Sequence, residues 1–138
     1  MSLCLRVRYS PQLLMLTLSL LPDTLAICRL PRDAEIPGWA LASDFYSATR
    51  TADELSVVCH QHHIPEGVQR EGNWRCLKVQ GPLAFSMVGV MASLATPLAD
   101  AGISLFVIST FDTDYLLVKQ AHLESATAAL TTAGHSII

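Results

Sequence analysis

Residues 86–118, SMVGVMASLATPLADAGISLFVISTFDTDYLLV, carry the pattern that decides the fold. Five apolar residues fall on one helix face at positions i, i+3, i+4, i+7 and i+11: Met87, Val90, Met91, Leu94 and Leu98. Gly102 follows where a helix-ending glycine is expected. The nearly continuous apolar run 103–110 is typical of a central strand, and a turn at 112–114 leads into a further strand at 115–119. This stretch therefore predicts helix, strand, turn and strand.

The flanking segments complete a six-element unit. Residues 74–80 alternate as a strand does, and Gly81-Pro82 ends it. Residues 120–133 predict a second helix, and 135–138 a last strand. The order β-α-β-β-α-β predicts an α+β, ferredoxin-like unit with two helices on one face of an antiparallel sheet.

The first half of the chain predicts a weaker copy of this unit. Residues 13–21 form a strand, 22–24 a turn, and 25–30 the hairpin partner. Residues 33–42 hold one short helical turn. Two more strands follow at 45–50 and 55–60, and residues 64–73 form the linker.

The predicted organisation has three parts. Residues 1–10 are a leader that the sequence does not predict to be ordered, 11–74 a degenerate first unit and 75–138 the second unit. Each unit has about 65 residues, so two of them fit the 138 residues of the chain in tandem.

Composition excludes several classes of protein. Hydrophobic residues make up 51% and charged residues 15%, which is too apolar for a disordered chain. The net charge of −3 leaves no basic surface for nucleic acid. The apolar run at 13–21 is shorter than the ~20 residues that cross a bilayer. Arg6 and Arg8 before it give it the shape of a signal peptide as well, but its alternation favours a strand.

The cysteines indicate the compartment. Cys4, Cys28, Cys59 and Cys76 contain no C-x-x-C pair, and the last three lie in or beside apolar segments. We expect reduced core thiols in a cytoplasmic protein, with a two-disulfide framework as the alternative.

One part of the sequence resembles a known family. Residues 101–118, above all ISTFDTD at 108–114, together with PLAF at 82–85 and Gly89, resemble the ACT domain. The similarity is to the subfamily of CASTOR-type arginine sensors and small bacterial tandem-ACT proteins. The segment 12–74, with SATRT at 47–51 and DELSVV at 53–58, resembles the degenerate first unit of those proteins.

The resemblance implies a regulatory role without catalysis. ACT domains bind small ligands, usually amino acids, between two ACT units and commonly pair as dimers. A homodimer that binds an amino acid or a related metabolite is therefore expected, with neither nucleic acid nor membrane as partner.

Two turns supply the candidate ligand contacts. The strand-to-helix turn offers backbone N–H groups to a carboxylate, and the turn after the strand at 103–110 offers carbonyls and carboxylates to an ammonium. The candidate residues are Ala84, Phe85, Ser86, Met87, Val88, Gly89, Thr110, Phe111, Asp112 and Asp114. The resemblance places Asp114 against the ligand side chain, with Thr110 and Phe111 beside it. It also shows one departure, because the arginine sensors carry an acidic residue where this chain has Met87.

Two other functions stay open. One is a ligand-free dimerisation module, and the other is a small enzyme with Asp112 and Asp114 as acid and base. Neither G-x-S-x-G nor a phosphate-binding glycine motif occurs in the sequence. The cluster CHQHH at 59–63 has metal-ligand residue types, but no second ligand pair lies near it in sequence. We therefore expect no metal and no cofactor.

Overall fold

The computed structural model describes residues 14–84 and 87–138. The predicted leader at 1–10, Cys4, and the candidate site residues Phe85 and Ser86 lie outside the described residues.

Seven strands and three helices make up the described chain. The strands are β1 (Thr17–Leu30), β2 (Ser47–Arg50), β3 (Leu55–His60), β4 (Gln69–Val79), β5 (Phe106–Ser109), β6 (Asp114–Lys119) and β7 (Ser136–Ile137). The helices are α1 (Gly38–Leu41), α2 (Val90–Asp100) and α3 (Leu123–Thr132), and short 3₁₀ turns span Gln61–His63 and Gln120–His122. The longest helix has 11 residues, and no described helix is long and apolar enough to cross a bilayer.

All seven strands belong to one sheet of order β2-β3-β1-β4-β6-β5, with β7 on the free edge of β1. Every pairing is antiparallel except that of β7 with β1. The two predicted units therefore share a continuous sheet instead of forming separate ones.

The predicted hairpin at 13–30 is wrong. One strand, β1, runs from Thr17 to Leu30 and pairs with β4 along both of its ends. Leu20 lies opposite Leu77 and Thr24 opposite Arg75, so the three residues between them face a single residue of β4. Such a bulge absorbs Pro22, which cannot donate to the ladder, without reversing the chain.

The predicted linker is wrong over its second half. Residues 69–73 belong to β4 and pair with β1. Asn73 has φ 62° at the point where the register shifts again, so an irregular strand, not a connection, accounts for the glycine-rich sequence. The predicted boundary between residues 74 and 75 falls inside this strand.

The second half has the predicted order of elements, from β4 through α2, β5, β6 and α3 to β7. Two details differ. Strand β5 is an edge strand and not a central one, because only β6 pairs with it. The first half of β1 lies between β7 and β4, which a ferredoxin-like sheet would pair directly with each other.

Three apolar clusters fill the part of the molecule that the structure describes. The largest packs α2 and α3 against one sheet face through Leu18, Leu77, Val79, Leu94, Leu98, Leu116 and Leu130, among others. A second cluster packs Ala40 of α1 against β1 and β3. The third holds Leu25, Val58, Trp74, Cys76 and Leu117, which point to the other face by the alternation of their strands.

The described cysteines are buried free thiols, as predicted. Burial raises the pKa of Cys76 to about 12. Cys28 and Cys59 share a hydrogen bond, which lowers the pKa of Cys28 and, with burial, raises the pKa of Cys59. All three therefore serve as core residues.

The shared strand leads to a prediction about fragments. Residues 69–138 without β1 lose the strand between β7 and β4, together with the fully buried Leu18. We expect this fragment to show no cooperative thermal unfolding by circular dichroism, and a synthetic peptide of residues 14–30 to restore it.

The control is the same peptide carrying Leu18→Asp, which cannot bury its carboxylate in the core. Cooperative unfolding of the fragment alone at the melting temperature of the whole chain would contradict the prediction.

Candidate functional site

Two connections meet at one end of the sheet and enclose a cavity of about 240 Å³. One leads from β4 to α2, and the other is the turn between β5 and β6. The lining residues are Leu83, Ala84, Met87, Val90, Ser109, Thr110, Phe111, Asp112, Thr113 and Asp114. The volume lies below the range of about 300–1,000 Å³ that holds drug-sized ligands, so it suits a small metabolite.

Hydrogen bonds fasten the two connections together. The Leu83 N–H donates to the Asp112 carbonyl at 2.7 Å. The hydroxyl of Thr113, a buried side chain, donates to the Val79 carbonyl at 2.7 Å. A Cβ on Gly81 would lie only 3.0 Å from the Asp112 carbonyl oxygen, so the approach of the two backbones requires glycine there.

The β5–β6 turn has its own internal bonds. The Thr110 N–H and hydroxyl both donate to the Thr113 carbonyl, at 2.9 and 3.1 Å. Asp112 joins the two connections through its backbone carbonyl, which accepts the hydrogen bond from the Leu83 N–H. Its exposed carboxylate takes no part in that contact.

Asp114 opens β6, and its Oδ1 accepts a hydrogen bond of 2.6 Å from the Ser109 hydroxyl. This bond holds the carboxylate beside the cavity. Asp112 and Asp114 are the ionisable side chains of the described lining, and both are acidic. The cavity therefore favours a cationic group on its ligand.

The start of α2 lies on the other side of the cavity. The sequence predicts this helix from Ser86, but it begins at Val90, because Gly89 adopts a left-handed conformation with φ 78°. Val90 lines the cavity. The first turn of a helix carries N–H groups without partners inside the helix, and its dipole favours an anion there.

The structure brings most of the predicted site residues together. Six of them line the cavity: Ala84, Met87, Thr110, Phe111, Asp112 and Asp114. Val88 and Gly89 are near in sequence but outside the lining, and Phe85 and Ser86 are outside the described residues. Leu83, Val90, Ser109 and Thr113 also line it and were not predicted. The polar pair among them, Ser109 and Thr113, sits beside the predicted aspartates.

A larger groove of about 910 Å³ runs between α3 and the strands β1 and β7. It is more open to solvent than the smaller cavity and contains none of the predicted site residues. An open groove encloses little of a small ligand, so the smaller cavity is the better candidate.

The role of Thr113 leads to a stability prediction. Thr113→Val keeps the shape of the side chain but removes the buried bond to Val79, so we expect a loss of about 1 to 2 kcal/mol in the free energy of unfolding. Urea denaturation measures it.

Thr110→Val is the matched control, since its hydroxyl bond lies in the same turn at an exposed residue. A loss in Thr113→Val no greater than in the control would show that the buried bond does not fasten the two connections.

Comparison with known proteins finds matches in both halves of the chain. The family model of the ACT domain matches residues 69–132, and a second model, for an N-terminal domain, matches residues 23–67. A crystal structure of an Agrobacterium tumefaciens protein is 43% identical, with a TM-score of 0.86 over 91% of this chain and 93% of that one.

Two further relatives are more distant or shorter matches. The human cytosolic arginine sensor for mTORC1 subunit 1 is 41% identical over 58 residues, or 41% of this chain and 18% of the sensor. This chain thus matches less than a fifth of that relative's length. The regulatory subunit of aspartate kinase from Thermus thermophilus is 14% identical, with a TM-score of 0.57 over 84% of this chain and 96% of that one, and it shares the fold. The resemblance of the second half to the ACT domain is confirmed, and residues 69–132 of this chain belong to the ACT domain family.

Proposed function

We propose that this chain is a cytoplasmic regulatory protein, without catalytic activity of its own, that binds an amino acid or a related metabolite. The observation that carries the proposal is the 240 Å³ cavity where the two turns meet at the start of α2. Its family membership supports the regulatory role, since ACT domains and the arginine sensor are regulatory proteins. Two tandem ACT units, with a boundary near residue 74, are part of the same proposal.

The cavity offers a partner to each end of an amino acid. The N–H groups of the first turn of α2 receive the α-carboxylate. The carboxylates of Asp112 and Asp114 receive the α-ammonium or a cationic side chain. Thr110 also lines the cavity.

The apolar part of the lining restricts the ligand side chain. Leu83, Met87 and Val90 bring hydrocarbon to the cavity. Met87 stands where the resemblance to the arginine sensors predicts an acidic residue, so the β4–α2 connection brings no carboxylate to a guanidinium at that position. A small or apolar amino acid therefore fits this lining better than arginine.

A ligand screen tests the proposal. We expect at least one L-amino acid at millimolar concentration to raise the melting temperature, because a ligand at 100 times its Kd adds about 2.7 kcal/mol to the free energy of unfolding. Asp114→Asn should reduce the affinity for that ligand about tenfold or more, since it removes the charge and keeps an oxygen for Ser109.

Asp53→Asn, on the exposed turn before β3, is the control and should leave the affinity unchanged. If no amino acid shifts the melting temperature of the unmodified chain, the ligand-binding function fails. If Asp114→Asn binds as tightly as the control, Asp114 is not part of the site.

A second copy of the chain is proposed to cover the mouth of this cavity. Phe111 borders the cavity and is 79% exposed, and Val88 in the facing connection is 77% exposed. Large apolar side chains this exposed are typical of an interaction surface. They favour a homodimer with the ligand near its interface. A dimer that is insensitive to ligands would instead support the function of a dimerisation module.

A single substitution that introduces a charge tests the dimer prediction. Val88→Asp should convert a dimer into a monomer in sedimentation velocity while leaving the circular dichroism spectrum unchanged, because it places a carboxylate in an apolar contact. Leu41→Asp, at a 52% exposed position on α1, is the control and should stay dimeric. A wild-type chain that is monomeric with and without ligand would rule out this assembly.

A further inference from the structure

Three histidines cluster at the junction of β1 and β3, and an aspartate lies beside one of them. His60 ends β3, and His62 and His63 lie on the 3₁₀ turn that follows it. The side-chain nitrogens of the three histidines lie within 4.8 Å of one another. Asp23, in the bulge of β1, places Oδ2 3.1 Å from His60 Nε2.

The His60 imidazole carries the argument. Its side chain is 8% exposed, and Nε2 makes no hydrogen bond of good geometry within the described residues even though the Asp23 carboxylate is 3.1 Å away. A buried polar nitrogen without a hydrogen bond costs free energy unless something else satisfies it. A bound cation would satisfy the nitrogen and the carboxylate together.

We propose that His60, His62, His63 and Asp23 bind a divalent transition-metal ion of the zinc class. Imidazole nitrogens and one carboxylate are a donor set that zinc accepts in tetrahedral geometry, with bonds of about 2.0–2.2 Å. Ligand atoms at the corners of such a tetrahedron are about 3.4 Å apart. The pair from His60 and Asp23 already has this spacing.

The other two ligands reach the ion by side-chain rotation. Closing the histidine nitrogens from 4.8 Å requires side-chain rotation of His62, which is exposed, and of His63, which is half-buried. Ser43 supports the cluster. Its hydroxyl accepts a 2.9 Å hydrogen bond from the backbone N–H of His60 and lies 3.4 Å from the ring nitrogen Nδ1 of His63. That contact orients the ring and leaves His63 Nε2 for the ion, as outer partners of zinc-bound histidines do.

Four protein ligands fill the coordination positions of the ion, which leaves none open for a substrate. The ion therefore has a structural role. It joins the bulge of β1 to the end of β3. The thiols of Cys28 and Cys59 are separate from it, because Cys59 precedes His60 on the same strand and points to the opposite face. They are also buried, at 1% and 0% exposure.

Metal titration of the whole chain tests the proposal. The protein is freed of any affinity tag and stripped with a chelating resin, and zinc is titrated in competition with a chromogenic chelator. We expect one equivalent of zinc to bind and to raise the melting temperature. Cobalt(II) should give the intense visible bands of tetrahedral coordination.

The variants assign the ligands. His62→Ala should weaken zinc binding about 100-fold or more, and Asp23→Asn should weaken it as well. Both positions are exposed enough for the apo variants to keep the circular dichroism spectrum and melting temperature of the apo wild type. His122→Ala, which removes an exposed histidine elsewhere, is the control and should bind as the wild type does.

Three results would overturn the proposal. The first is a wild type that binds zinc no more tightly than His62→Ala. The second is a His122→Ala control whose zinc binding is weakened as much as that of His62→Ala. The third is binding that survives His62→Ala and Asp23→Asn but disappears when the thiols are alkylated, which would place the metal at cysteine.

Discussion

The fold depends on the hydrogen bonding of β1 along both of its edges. Its first residues pair with β7 on one side and β4 on the other, and its last residues pair with β3 and β4. Leu18 therefore belongs to the core beneath α2 and α3, whereas Ala26 and Cys28 belong to the core around α1. One strand contributes to both cores, so neither half completes its sheet without the other.

Local sequence patterns were sufficient to predict most helices and strands of the second half. The stripe from Val90 to Leu98 does pack one helix face into the core, and residues 114–119 form the strand that their alternation predicts. Pairing between distant strands could not be predicted in the same way. Pro22-Asp23 is compatible with a turn or with a bulge, and only the register against Leu77 and Arg75 decides between them. The apolar run 103–110 was predicted as a central strand, and this was wrong for a related reason. Phe106 and Ile108 are apolar because they pack against the third cluster on one face of the sheet. Only the strand pairing shows that β5 lies at the edge.

The candidate site shows the same division between local and distant information. Turn chemistry and the family resemblance identified both connections, but the bonds that fasten them are made mainly by backbone atoms. Asp112 acts there through its carbonyl, and Gly81 through the absence of a Cβ. Residue types reveal little about such contacts. Thr113 was missed because a hydroxyl on a turn usually bonds within the turn, whereas this one reaches Val79 on β4.

The bulge in β1 connects the folding argument with the histidine cluster. From the sequence, residues 59–63 were expected to bind no metal, because no second ligand pair lies near them in the sequence. A continuous β1 changes the geometry, because Leu25 then pairs with His60 and Asp23 is held two residues away from that pair. The irregularity that accommodates a proline thus places a carboxylate 3.1 Å from a buried imidazole. A feature of the strand register, and not of any local motif, makes these side chains neighbours.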